Sequence, residues 1–180
     1  MLNFHKPKLL ILGAGGFGQS IAELATSLGR WSEVCFVDDC WLSKKQVNTY
    51  NIVSNIVNLE NILLDGYQAI VAVGNNRLRE QWSTKLKKIG VPLISIIHPN
   101  AVISPSALIA PGVIIMAGCV IGTAARLGEG VILNSGVLLD HDVEIGYYSH
   151  LSLGVKISGT KKVTVFSFLE AGTIIGQKDH

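Results

Sequence analysis

A six-residue repeat occupies the second half of this 180-residue chain. From position 97 to position 175 every sixth residue is Ile, Leu or Val, with no slip of phase over fourteen hexads. The fifth position of each hexad is small or β-branched, except at Lys161 and Asp179. In such a repeat each hexad makes one short strand and one turn, and the stacked hexads bury their first-position side chains in a continuous core. Three hexads make one triangular coil, so the pattern predicts a left-handed parallel β-helix over residues 97–180.

The first half has a different pattern. The run KLLIL at 8–12 is typical of a buried parallel strand, and it precedes glycines and a helix that ends at Gly29. The segments EVCFVDD, YQAIVAV and VPLISI predict further strands. A second helix places an apolar stripe on one face, at Leu78, Trp82, Leu86 and Ile89. This order predicts an α/β Rossmann-like domain over residues 1–96, with the β-helix as a second domain.

Composition and charge exclude several classes of function. The net charge is +2, and no basic run is interleaved with aromatic residues, so we expect no nucleic-acid partner. The chain is 48% hydrophobic, which suggests additional buried surface between subunits. Cys35, Cys40 and Cys119 form no CxxC pair and fit a reducing compartment. No apolar run is long enough for a membrane span or resembles a signal peptide, so the protein is predicted to be cytoplasmic.

Gly13, Gly15 and Gly18 form a G-x-G-x-x-G motif between the first strand and the first helix. The motif is typical of dinucleotide-binding folds, in which backbone amides approach a phosphate at the helix N-terminus. Asp38 or Asp39, about 20 residues further on, could accept hydrogen bonds from a ligand hydroxyl or a uracil imide. Two alternatives stay open at this point. The motif could serve an oxidoreductase, although only about 95 residues precede the repeat, or the glycines could serve only strand–helix packing.

His141 occupies the third position of its hexad, between Asp140 and Asp142. This is a turn position, so the side chain should point outward. One coil is 18 residues, which places Thr123 below the histidine and Gly159 above it, and the glycine should leave open space beside the imidazole. An accessible imidazole beside a carboxylate is suited to general-base catalysis. The alternative is a surface histidine without chemistry. A zinc site of the carbonic-anhydrase type needs three histidines, and the chain lacks the closely spaced second pair, so we predict no metal.

Several segments together resemble the hexapeptide-repeat acyltransferases, and within them the sugar O- and N-acetyltransferases of the sialic acid and UDP-4-amino-sugar type. These segments cover nearly the whole chain and are GAGGFG, FVDD, VAVGNNRLR, LISIIHPNAVISPSA, GVILNSGVLLDHDVEIG and YSHLSLGVKISG. The resemblance implies a homotrimer whose Rossmann-like domain binds a nucleotide-sugar and whose β-helix binds acetyl-CoA at subunit interfaces. It predicts an acyltransferase that acetylates the amine of a UDP-4-amino-sugar by direct attack.

The resemblance also implies roles for individual residues. His141 matches the general base and Asp142 the acidic residue that strengthens it. The residues implied to bind acetyl-CoA are His150, Gly159 and Ala171. The residues implied to line the nucleotide-sugar site are Gly15, Gly16, Asp38, Asp39 and Gly74.

Two departures from the family pattern bear on function. Phe17 stands where many relatives have histidine, which puts the identity of the sugar in question. Relatives usually continue for one or two coils beyond the position where this chain ends, so we expect a shortened coenzyme site. Two alternatives to the N-acetyltransferase follow: an O-acetyltransferase of sialic acid or another sugar, and a non-catalytic trimeric scaffold that binds a nucleotide-sugar.

Overall fold

The computed structural model describes residues 6–61 and 64–176, and the chain divides into two compact units between Ile94 and Ser95. Asp179, one of the two fifth-position exceptions, lies outside the described residues.

The first unit is a five-stranded sheet with two α-helices and two short 3-10 helices. Its strands are β1 (Lys8–Leu12), β2 (Glu33–Val37), β3 (Gln46–Val47), β4 (Tyr50–Ser54) and β5 (Tyr67–Val71). The α-helices are α1 (Gly16–Leu28) and α2 (Asn76–Lys88), and the 3-10 helices are Asp39–Leu42 and Leu59–Asn61. The strand order is β3-β4-β2-β1-β5, and every pair is parallel except β3 with β4. The predicted Rossmann-like α/β fold is confirmed.

Apolar residues explain why β1 lies in the interior of this sheet, between β2 and β5. Four of its five residues are fully buried, and Leu10 pairs with Cys35 on one side and Ala69 on the other. Helix α1 buries Ile21, Ala22, Leu24 and Ala25. It ends as predicted at Gly29, whose φ of 61° satisfies the left-handed C-cap that glycine adopts most readily.

One prediction for this unit was wrong, one holds only in part, and one element was not predicted. The hairpin of β3 and β4 was not foreseen. The segment VPLISI does not form a strand within the sheet; Leu93 makes a single bridge to Ala69, since the neighbouring Pro92 has no amide hydrogen with which to extend a ladder. The predicted stripe of α2 contacts the core through Leu86, Trp82 and Ile89. Leu78 is only partly buried, and the buried positions of the helix also include Arg79 and Ser83.

The second unit is a left-handed parallel β-helix of fourteen two-residue strands on three faces. Face one holds β6 (Ile96–Ile97), β9 (Ile114–Ile115), β12 (Ile132–Leu133), β15 (His150–Leu151) and β18 (Phe168–Leu169). Face two holds β7 (Val102–Ile103), β10 (Val120–Ile121), β13 (Leu138–Leu139), β16 (Lys156–Ile157) and β19 (Ile174–Ile175). Face three holds β8 (Leu108–Ile109), β11 (Arg126–Leu127), β14 (Glu144–Ile145) and β17 (Lys162–Val163).

The register of the β-helix follows the sequence period. Val120 pairs with Leu138 and Leu138 with Lys156, so each residue contacts the one 18 positions away on the next coil. The first-position aliphatic residues from Ile97 to Ile175 lie in or against one core, as predicted. The coil that follows Lys161 keeps the same pairing, since β16 binds β19.

The turns share one unusual backbone conformation. All eleven fourth-position residues from Gly112 to Gly172 have positive φ. Six are glycines, and the others are Ala124, Asp142, Tyr148, Thr160 and Phe166. A left-handed conformation costs energy for most residues with a side chain, and aspartate is one of the few that tolerate it. Asp142, with φ of 56°, therefore occupies a position that suits glycine.

Candidate active site

The turn of residues 140–142, which we call the Asp-His-Asp turn, joins face two to face three. The Asp140 carboxylate accepts a hydrogen bond from the His141 amide at 2.8 Å. The Asp142 amide donates to the Thr123 carbonyl on one neighbouring coil, and the His141 carbonyl accepts from the Thr160 amide on the other, both at 2.9 Å. The turn is thus held from both sides, while the His141 side chain remains 52% exposed.

A hydrogen bond between His141 and Asp142 decides which ring nitrogen is available for chemistry. His141 Nδ1 lies 2.9 Å from Asp142 Oδ2. A carboxylate only accepts hydrogen bonds, so Nδ1 carries the proton and, in the neutral ring, Nε2 is the free acceptor. The hydrogen bond to Asp142, followed by the negative charge of Asp140, raises the pKa of His141 above its ordinary value. The arrangement provides an exposed imidazole with strengthened basicity.

Gly159 lies beside His141 on the next coil, as the 18-residue period predicts. The space above the glycine is not open, however. A Cβ placed on Gly159 would lie 2.5 Å from Nε2 of His141 and 2.7 Å from Cε1, so the imidazole itself fills the space that the glycine leaves.

His150 and Ala171 lie on other parts of the β-helix. His150 belongs to β15 on face one, where its ring packs edge-on against Phe168 with ring centroids 5.1 Å apart. Ala171 is exposed in the turn after β18. Within one chain, therefore, His150 lies on face one, whereas His141 lies in the turn between faces two and three. The roles of His150 and Ala171 in binding acetyl-CoA stay predictions.

In the first unit, a glycine-rich loop connects β1 to α1. Gly13 has φ of 104°, and a Cβ there would lie 2.7 Å from Val73 Cγ1, so only glycine fits. Gly15 and Gly16 are exposed at the start of α1, and a Cβ on either would meet no heavy atom within 4 Å. The loop therefore presents the N-terminus of a 13-residue helix beside open space.

Asp38 ties the end of β2 to this loop. Its Oδ2 accepts from the Ala14 amide at 2.8 Å and its Oδ1 from the Cys40 amide at 2.9 Å. Partial burial raises the pKa of Asp38, but the hydrogen bonds from Ala14 and Cys40 outweigh it, and the pKa lies below its ordinary value. Asp38 thus orders the loop, while Asp39 is exposed.

Arg79 was not foreseen from the sequence, because an arginine within a helical stripe is usually assigned to the surface. It is fully buried, and its Nη1 donates to the carbonyls of Val73 at 2.9 Å and Gly74 at 3.3 Å. Its Nη2 donates to the Asn76 side chain at 2.7 Å. Arg79 therefore shapes the loop that carries the exposed Gly74, whose place in a nucleotide-sugar site stays a prediction.

Helices α1 and α2 both begin at the carboxyl edge of the sheet, where the strand order reverses between β1 and β5. Helix N-termini carry a partial positive charge and unsatisfied amides, and ligands of open α/β sheets bind at this switch point. Asn75 caps α2 by accepting from the Leu78 amide at 2.9 Å. The predicted residues Gly15, Gly16, Asp38 and Gly74 thus follow strands that end at one edge, and the edge is suited to an anionic ligand.

Comparison with known proteins agrees with both units. Residues 8–86 match the PglD N-terminal domain. The acetyltransferase domain of PglB from Neisseria gonorrhoeae FA1090 is 32% identical, with a TM-score of 0.85, over 94% of this chain and 91% of that domain. This chain belongs to the hexapeptide-repeat sugar acetyltransferase family. The predicted family membership and the predicted enzyme class, an acyltransferase, are confirmed.

Two further members of the hexapeptide-repeat sugar acetyltransferase family are similar. The GDP-perosamine N-acetyltransferase of Escherichia coli O157:H7 is 29% identical over 172 residues, which are 93% of this chain and 77% of that enzyme. PerB from Caulobacter crescentus, solved in complex with CoA and GDP-perosamine, is 26% identical with a TM-score of 0.76, over 94% of this chain and 88% of PerB. The PglB domain has also been solved in complex with acetyl coenzyme A.

Within residues 6–61 and 64–176, no group of three or more histidine, cysteine or acidic side chains is placed to hold a metal ion. Over the same ranges, no helix has the length and apolarity needed to cross a membrane.

Proposed function

We propose that this protein transfers the acetyl group of acetyl-CoA to the amine of a nucleotide-activated amino sugar, with His141 as the general base. The observation that carries the proposal is the hydrogen bond from Nδ1 to Asp142, which leaves Nε2 of an exposed imidazole as the acceptor. The similar PglB domain, solved with acetyl coenzyme A, and PerB, solved with CoA and GDP-perosamine, support the choice of donor and acceptor.

In the proposed reaction the sugar nitrogen attacks the thioester carbonyl carbon, the C–S bond breaks, and an amide and free coenzyme A result. The attacking nitrogen must lose one proton as the amide forms, and the leaving thiolate gains one. Nε2 of His141 takes the proton from nitrogen and returns it to sulfur. No covalent enzyme intermediate is needed, since a positioned base and the bound donor suffice.

The nucleotide is proposed to bind at the carboxyl edge of the first unit, with its diphosphate at the N-termini of α1 and α2. Two nucleotides are candidates. The family resemblance of the motifs favours a UDP-4-amino-sugar, whereas two similar relatives are named for GDP-perosamine. An amine acceptor is common to both proposals, and the experiment must resolve whether the site accepts a uracil or a guanine nucleotide.

Thiol release from acetyl-CoA, measured with UDP- and GDP-linked 4-amino sugars and with sialic acid, tests the proposal. Turnover with an amino sugar supports it, and turnover only with sialic acid would identify the O-acetyltransferase. The non-catalytic scaffold remains the competing hypothesis. Saturable binding of coenzyme A by calorimetry would reject the scaffold, whereas nucleotide-sugar binding without any coenzyme A binding would support it and overturn the enzyme.

Replacing Asp142 by Asn should move the rising limb of the pH–rate profile to lower pH. The base must be neutral to accept a proton, so activity rises as pH passes the pKa of His141. Asp142 is the largest cause that raises this pKa, and an amide removes its charge. Asparagine also tolerates the left-handed backbone of position 142, which keeps the turn intact. The measurement is kcat/KM against pH, together with the NMR titration of the His141 ring.

Glu144→Gln is the matched control for Asp142→Asn. It removes a carboxylate that lies two residues after Asp142 and is paired with Lys162 on face three. It should leave the His141 titration unchanged. A shift of the Asp142→Asn profile to higher pH would show that Asp142 does not strengthen a base at His141.

We further propose that the chain assembles as a homotrimer, which would let His141 of one subunit and His150 of another share one site. Aliphatic side chains on the outside of face two support this. Four of its five outward positions are aliphatic, and their exposed fractions are 64% for Val102, 41% for Val120, 37% for Leu138 and 69% for Ile174. Val102, Val120 and Leu138 follow one another on consecutive coils, while Lys156 separates Leu138 from Ile174. An exposed aliphatic stripe of this kind is typical of a protein interface. The cytoplasmic location stays a prediction.

Leu138→Lys should therefore weaken assembly, because it places a charge within the aliphatic stripe of face two. We expect light scattering to show the mass of a trimer for the parent protein and a smaller average mass for the variant at micromolar concentration. Leu42→Lys is the matched control, since Leu42 is an exposed leucine in the first unit. A parent protein that is monomeric at micromolar concentration would contradict the trimer.

A further inference from the structure

Gly159 differs from all the other residues at the third position of the hexads. The third-position residues from 99 to 177 are Pro, Pro, Pro, Ala, Thr, Glu, Ser, His, Tyr, Leu, Gly, Val, Ala and Gln. Gly159 is the only glycine among them, and the others range from Ala to Tyr in size. The β-helix therefore accepts almost any side chain at this position, and its architecture does not explain the glycine.

Backbone conformation does not explain the glycine at position 159 either. The positive φ values of the β-helix fall at the fourth positions of the hexads, from Gly112 to Gly172, and Gly159 is not among the residues with positive φ. A side chain at Gly159 would thus incur no strain in the backbone itself.

The surroundings of Gly159 do explain it. The three heavy atoms nearest to a Cβ built on Gly159 all belong to the His141 ring: Nε2 at 2.5 Å, Cε1 at 2.7 Å and Cδ2 at 3.0 Å. The glycine is buried beneath this ring. The opposite edge of the ring is held by Asp142, whose Oδ2 lies 2.9 Å from Nδ1.

The main chains of the two turns cannot easily separate to relieve such a contact. The Thr160 amide donates to the His141 carbonyl at 2.9 Å, and β13 pairs with β16 immediately before the two turns. The imidazole, by contrast, is the end of a rotatable side chain. A methyl group at position 159 would therefore move the ring and leave the coils in place.

We propose that Gly159 is a positioning residue for the His141 imidazole: because it has no Cβ, the ring lies against the next coil with Nδ1 on Asp142. This inference rests on the proposed role of His141 as the base. It assigns to Gly159 a steric task distinct from any contact of its backbone with a substrate.

Gly159→Ala tests the inference through two readouts. A displacement of the ring by about 1 Å is expected to lower kcat roughly 10²-fold, the scale known for small misplacements of a catalytic group, with a smaller change in KM. The NMR titration of His141 should move to lower pH, because the displaced ring loses its hydrogen bond to Asp142. The melting temperature should change little, since only a side chain moves.

Gly176→Ala is the matched control. It lies in the same β-helix, its φ is not positive, and a Cβ there meets no heavy atom within 4 Å. It should leave kcat, the His141 titration and the melting temperature as in the parent protein. A glycine needed only for stability would instead show a lower melting temperature in Gly159→Ala with an unchanged His141 titration, which would overturn the inference.

The double variant His141→Ala/Gly159→Ala separates this inference from the proposed function. If Gly159 acts through the ring, adding Gly159→Ala to His141→Ala should lower kcat no further, whereas independent losses that multiply would overturn the positioning role. If the parent protein transfers no acetyl group, the proposed function fails, but the NMR titration still tests whether Gly159 positions His141.

Discussion

His141→Ala is expected to lower kcat by roughly 10²–10⁴-fold, the usual loss when a positioned general base is removed. Nε2 is the acceptor that the hydrogen bond to Asp142 leaves available, and alanine provides none. Acetyl-CoA affinity should change little, because the proposed task of His141 is toward the amine. Steady-state kinetics give kcat, and calorimetry with coenzyme A gives the affinity. The variant should also lose the rising limb of the pH–rate profile.

Two other histidines serve as comparisons for His141→Ala. His150→Ala should instead raise the apparent KM for acetyl-CoA more than it lowers kcat, because the predicted contact of His150 is with the acetyl donor. His98→Ala should leave kcat unchanged, because His98 Nδ1 accepts from the Asn100 amide in a turn of the first coil. Near-normal turnover in His141→Ala would show that the Asp-His-Asp turn is not the proton acceptor.

Gly18→Ala is expected to destabilise the first unit by about 3 kcal/mol, at the upper end of the range for an overpacked core. A Cβ on Gly18 would lie 1.9 Å from the Gly13 carbonyl oxygen and 2.9 Å from its carbon. These are backbone atoms, so α1 must move away from the loop. All three tryptophans, Trp31, Trp41 and Trp82, belong to the first unit. Tryptophan fluorescence during urea unfolding therefore reports on this unit.

Gly16→Ala is the matched control for Gly18→Ala. Gly16 begins the same helix, and a Cβ there meets no heavy atom within 4 Å. Alanine favours a helix more than glycine does, so the urea midpoint should be equal or slightly higher. A Gly18→Ala variant with the parent midpoint would mean that α1 does not pack closely against the glycine-rich loop.

The β-helix could be predicted from the sequence because its order is local and periodic. Each coil contacts only its neighbours, so a register of 18 residues read from the first-position aliphatics determines which residues stack. The positions of Thr123 and Gly159 on the two coils next to His141 followed from that number alone. The first helix was equally accessible, because its glycines mark both ends.

The first unit could be predicted only in part, because its contacts are long-range. The β3–β4 hairpin is short and lacks a strong turn signal. The segment VPLISI has the apolar residues of a strand, but the fold does not place it as a strand of the sheet. The burial of Arg79 depends on the loop carbonyls of Val73 and Gly74, which α2 meets only after it packs on the sheet.

The sequence alone determined the residue types of the candidate site and their stacking, since His141, its two aspartates and Gly159 follow from the hexad period. The tertiary structure decided what each group does. It assigned the proton to Nδ1 by placing Asp142 Oδ2 at 2.9 Å, and it joined Asp38 to the Ala14 amide across 24 residues. It also filled the space above Gly159 with the imidazole. The reason is physical: a repeat specifies where each Cα lies, whereas the rotamer of a side chain depends on the partners that packing brings to it.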